Sequence, residues 1–144
     1  MRVSKEWSAY GPREVEGPRI VTVCANLSDA TPIAAELEKL NMGSLLTYNS
    51  QTELRLNPPV GEIDLFILID RAFSEPTTDT LCWLDRYQPR AAKAVVGESG
   101  TGRQELVARV GGAFYFVYKA YSGQCLSLVQ IATLRANRTD TPAA

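Results

Sequence analysis

The stretch IDLFILI, positions 63–69, is apolar at every position except Asp64. A strand with one wet face alternates apolar and polar side chains. A run that is apolar at consecutive positions fits a strand covered on both faces, as in a parallel sheet flanked by helices. Its surroundings agree. Pro58, Pro59 and Gly61 interrupt the chain just before it. Positions 76–87 follow with a helical pattern, Leu81, Leu84 and Tyr87 recurring every third residue and Trp83 widening the apolar side. That spacing predicts core packing for both Trp83 and Tyr87, and Pro89 ends the helix.

The same alternation extends in both directions. Upstream, RIVTVCA at 19–25 is rich in β-branched residues and is bounded by Pro18 and Asn26. Ser28 or Asp29 then supplies a cap for a helix with Pro32 in its first turn, Ile33, Leu37 and Leu40 on one side, and a stop at 41–43. Positions 44–48 read as a second strand, and 51–56 as one or two helical turns, so the second helix is short or absent. Downstream, 92–96 is a fourth strand, 103–110 a helix stopped by Gly111 and Gly112, 113–118 (AFYFVY) a fifth strand, and 122–136 a last helix. Strands separated by helices predict parallel βαβ units with right-handed crossovers. Five of them predict a flavodoxin-like doubly wound α/β sheet of order 2-1-3-4-5, with its working site at the carboxyl ends of the strands.

The 144 residues suit one domain, expected over 18–138 between tails at 1–17 and 139–144. Trp7 and Tyr10 are the groups of the first tail best able to dock. A formal net charge of −1 gives no basic field for nucleic acid or anionic lipid, and no apolar run reaches the length of a membrane span. The chain has no histidine, which removes Ser-His and Cys-His catalytic pairs and the commonest zinc ligand. The three cysteines, Cys24, Cys82 and Cys125, are far apart and odd in number, so thiols in a reducing, cytoplasmic compartment are expected rather than disulfides. No enzyme activity, cofactor or metal is read from the sequence.

The residues at the strand ends resemble the receiver domains of bacterial response regulators. Asp70 follows the third strand, where that family keeps its phosphoacceptor. Lys119 follows the fifth, where the family has a lysine that contacts the phosphoryl group. Phe116 matches its switch aromatic, and Ser99 lies near its switch hydroxyl. The departures are as informative. Where the family holds magnesium with two acids after the first strand, this chain has Cys24 and Ala25, and the proline after the family's lysine is Ala120. The resemblance therefore implies a pseudo-receiver, a signalling module that docks to a protein partner or to itself as a homodimer. The short second helix, the proline pair and Glu98-Ser99 also resemble the N-terminal domain of the amide-responsive transcription antiterminator. That likeness implies docking on a sensor and assigns no RNA binding to these residues.

Three further features have two readings each. Positions 97–109 (GESGTGRQELVAR) resemble a phosphate-binding loop, with Gly97, Gly100, Gly102 and Arg103 as candidate anion contacts. Arg103 stands in the lysine position, however, and Gln104 where a magnesium-binding hydroxyl belongs, so a plain capping loop is the alternative. Asp70 and Lys119 are either an atypical phosphoacceptor site or a structural ion pair. Tyr115, Tyr118 and Tyr121 are expected at an interface on the fifth strand and its exit, or otherwise in the core.

Overall fold

The computed structural model describes residues 17–69, 77–97, 115–117 and 125–140. Within them the chain forms β1 (Arg19–Cys24), a 3-10 turn (Leu27–Ala30), α1 (Thr31–Leu40), β2 (Ser44–Tyr48), α2 (Gln51–Leu56), β3 (Leu65–Ile69), α3 (Thr77–Tyr87), β4 (Ala92–Val96), β5 (Tyr115–Val117) and α4 (Cys125–Asp140). The helix expected over 103–110 lies outside the described residues.

The strands pair in parallel in the order β2-β1-β3-β4-β5. The parallel α/β reading of the sequence therefore holds. Every residue of β1, β3 and β4 is buried, which is why their sequences do not alternate. On one face α1 and α4 cover Ile20, Cys24, Leu65, Ile67, Ala94 and Val96 with Ile33, Leu37, Leu128, Val129 and Ala132. On the other, α2 and α3 cover Val21, Val23, Phe66, Leu68 and Val95 with Leu54, Leu81 and Leu84.

Local chemistry fixes the joints. Asn41 adopts the left-handed conformation that ends α1, and Gly43 follows at φ 95°. A Cβ on Gly43 would stand 2.7 Å from the Pro18 carbonyl oxygen, a contact only glycine avoids. At the amino ends of the strands, Ser44 N donates to the Pro18 carbonyl and Ala92 N to the Asp64 carbonyl. The Asp64 carboxylate accepts the Arg19 N–H at 2.8 Å. Asp64, the one polar residue of the deciding stretch, thus stitches β1, β3 and β4 together at that end.

Three local expectations change. The cap of the first helical segment is Asn26, not Ser28 or Asp29. Its Oδ1 accepts Ser28 N at 3.2 Å and Ser28 Oγ at 2.9 Å, which starts the 3-10 turn that runs into α1. Tyr87 is 40% exposed rather than in the core. The last helix, described from Cys125, runs on to Asp140 rather than ending at Ala136.

Candidate functional site

Register sets the level at which the site is built. Cys24 pairs with Ile69, Ile69 with Val96, and Val96 with Val117, so β1, β3, β4 and β5 end together. The next residues in the chain are Ala25, Asp70, Gly97 and Tyr118. Gly97 is buried directly after β4, and Phe116 pairs with Val95 within the sheet. Asp70, Ser99, Gly100, Gly102, Arg103, Tyr118, Lys119 and Tyr121 lie outside the described residues. Tyr115 is described only as a strand residue.

At the end of β1 the chemistry is explicit. Cys24 is 1% exposed. Burial, followed by the nearby charge of Asp29, pushes its thiol from 9.0 up to about 11. It is therefore protonated at neutral pH and is not an activated nucleophile. Ala25 is exposed and offers only a methyl group. Asn26 has already committed its side-chain oxygen to Ser28. Magnesium takes hard oxygen ligands in octahedral array. A neutral thiol, a methyl and an engaged amide do not fit that ion.

A second set of residues frames the approach from the other face, and the sequence reading did not find it. Gln51, at the start of α2, donates through Nε2 to Thr77 Oγ1 at 3.0 Å. Its Oε1 accepts from Thr80 Oγ1. Arg55 Nη2 donates to the same Thr80 oxygen at 3.2 Å. Thr77, Thr80 and Gln51 are all buried. The network clamps the first turn of α3 to α2 and so fixes where the chain re-enters after the segment that carries Asp70. Twenty-six or more residues separate Gln51 from its partners, so no local motif announces it. Tyr48, ending β2, is held by a hydrogen bond from its hydroxyl to the Asn57 carbonyl at 2.6 Å. Burial, then the charges of Tyr87 and Glu53, raise that phenol to about 12.

A parallel sheet of this order, helices on both faces and a site level at the carboxyl ends invite comparison with solved structures. The receiver domain of a response regulator from Clostridium thermocellum matches with a TM-score of 0.64 and 22% identity, over 85% of this chain and 96% of that one. A CheY-like receiver domain from Methanospirillum hungatei matches with a TM-score of 0.70 and 13% identity, over 86% and 99%. An orphan response regulator of H. pylori matches at 0.67 and 16%, over 83% and 96%. The chain has the receiver fold. No protein-family model and no curated protein sequence matches it. Identities this low carry the receiver architecture and leave the chemistry to be argued from the residues. Among the described residues, no helix is long and apolar enough to cross a membrane.

Proposed function

We propose that this receiver-fold domain is a pseudo-receiver, a regulatory module that works by docking to a protein partner or to a second copy without conventional phosphorylation. One observation carries the reading: the end of β1 presents a buried, protonated thiol and a methyl group where a phosphorylatable receiver needs two metal-binding acids. Phosphoryl transfer to Asp70 would require positive charge to offset the charge that develops on the oxygens. Cys24, Ala25 and Asn26 cannot recruit it. A domain that keeps this fold without the metal ligands retains its surfaces as its means of action, and receiver domains are regulatory rather than catalytic. The six-residue α2 is also the feature that favours the antiterminator-like variant of this reading.

Titration with magnesium and beryllofluoride, followed by amide shifts at Cys24, Ala25, Asp70, Gly97 and Lys119, tests the proposal. No saturable shift is expected. Saturable, magnesium-dependent shifts at these positions would make the domain a working phosphoacceptor and end the pseudo-receiver reading.

A further inference from the structure

Between α2 and α3 the surface shows more apolar side chain than packing requires. Leu56 is 74% exposed and Val60 49%, beside the exposed Tyr87. Trp83 is partly buried next to them and stacks on Tyr87, with ring centroids 5.1 Å apart and planes 4° from parallel. The Arg55 guanidinium lies over the Trp83 ring, 5.9 Å from its centroid. These groups are held in place. Tyr87 Oη donates to the Pro59 carbonyl at 2.7 Å, and Arg55 is tied to Thr80. An open cleft of about 450 Å³, lined by Gly61, Glu62, Tyr87, Gln88, Pro89 and Arg90, continues the surface. Held aromatic side chains with exposed aliphatic ones nearby mark a contact surface.

The position of the chain's entry names the occupant. Arg19, at the start of β1, donates from Nη2 to the Val60 carbonyl at 3.2 Å. Its guanidinium lies 2.9 Å from where a Cβ on Gly61 would stand. The first residue of β1 thus lies within its own side chain of the rim of the patch, and Gly17, two residues earlier, sits against Met42 and Gly43. Sixteen residues precede Gly17, outside the described residues, and they carry Trp7 and Tyr10. Measured back from Arg19, an extended chain reaches about 30 Å to Tyr10 and about 40 Å to Trp7, several times the roughly 10 Å between packed helices. Arg2, Lys5 and Arg13 balance Glu6, Glu14 and Glu16, and Glu6 next to Trp7 complements Arg55. A tethered segment meets its site at a millimolar effective concentration, so two aromatic anchors suffice.

We propose that residues 1–16 fold back onto their own α2–α3 surface, seating Trp7 and Tyr10 against Leu56, Val60 and Tyr87. The segment then covers a surface that an external partner would otherwise reach. This inference does not depend on whether Asp70 accepts a phosphoryl group.

The test uses the full chain with a nitroxide on Cys82, which is exposed on α3, while Cys24 is buried and Cys125 is changed by Cys125→Ser. Amide signals around Trp7 and Tyr10 should lose most of their intensity, and Tyr87→Ala or Leu56→Ser should restore it. Leu56 is 74% exposed, so the fold tolerates Leu56→Ser, which keeps the test decisive if Tyr87→Ala, by losing the bond to the Pro59 carbonyl, disturbs the surface itself. Full intensity at Trp7 and Tyr10 beside the label overturns the proposal. So does broadening in a mixture where the nitroxide and the isotope label sit on different molecules, because a second copy would then be the occupant.

Discussion

Cys24 offers a quantitative test of the claim that the end of β1 is chemically silent. With its pKa at about 11 instead of 9.0, the thiol is ionised in about one molecule in ten thousand at pH 7, against one in a hundred for an ordinary cysteine. The thiolate fraction alone therefore slows alkylation about 100-fold, and burial slows it further. The same shift has a stability signature. The folded state keeps the Cys24 proton up to about 11, while the unfolded thiol releases it from 9.0. The folded state thus binds more protons across that window, and stability falls as pH rises through it. Two pH units correspond to about 3 kcal/mol, fully present below 9.0 and lost above about 11. Tyr48 titrates in the same direction but is common to wild type and variant, so it cancels in their difference. Urea unfolding of wild type and Cys24→Ala below 9.0 and near 11, with peptide mapping after iodoacetamide treatment, measures both effects. Wild type should lose more stability than the variant on going alkaline, and Cys24 should alkylate far more slowly than exposed Cys82. Equal alkaline losses, or alkylation of Cys24 at the rate of Cys82, would refute the argument.

Other positions give equally direct expectations. Gln51→Ala strips the Thr77 and Thr80 hydroxyls of their buried amide partner and should destabilise by about 1–3 kcal/mol, read as a lower urea midpoint, with amide shifts in the first turn of α3. Phe66→Ala opens a fully buried position in β3 and should cost about 3–5 kcal/mol in the same assay. The Lys93 ammonium donates to the Gln88 carbonyl at 3.1 Å and to Asp85 at 3.4 Å, but burial dominates and lowers its pKa. The charged form is thus penalised in the folded state, and the penalty fades as pH rises through the lowered pKa towards the unfolded value of 10.5. Lys93→Met should be neutral or mildly stabilising at pH 7 and should remove that alkaline gain, as measured by unfolding across pH.

The strands were legible because the physics that buries them acts locally. A strand covered on both faces is apolar at consecutive positions, as 65–69 is throughout and 19–24 is apart from Arg19 and Thr22. The stop at Asn41 and Gly43 was legible for a similar reason, since few residues tolerate the left-handed conformation there. Tyr87 was misplaced by arithmetic. A recurrence of every third residue turns about 60° short of a full circle at each step, so Tyr87 sits well off the line of Leu81. Lys93 would be read as a solvated residue, yet it lies fully buried and sends its ammonium along the sheet to the end of α3. The cap at Asn26 was hidden because Asn, Ser and Asp cap almost equally well, and only the turn geometry chooses among them. The Gln51 network was illegible because it joins polar side chains that come together only after both helices have docked.

The order in which the layers close bears on how the chain is made. β1 is synthesised first yet sits mid-sheet, and its partner β3 begins at Leu65, well after β1 ends at Cys24, so β1 emerges from the ribosome with one flank unfilled. The face that holds Ile20, Leu65 and Ala94 waits longer still, because α4 supplies Leu128, Val129 and Ala132 to it. A nascent chain halted before α4 exposes an apolar sheet face, a natural site for chaperone engagement, and that face closes only when the final helix is released.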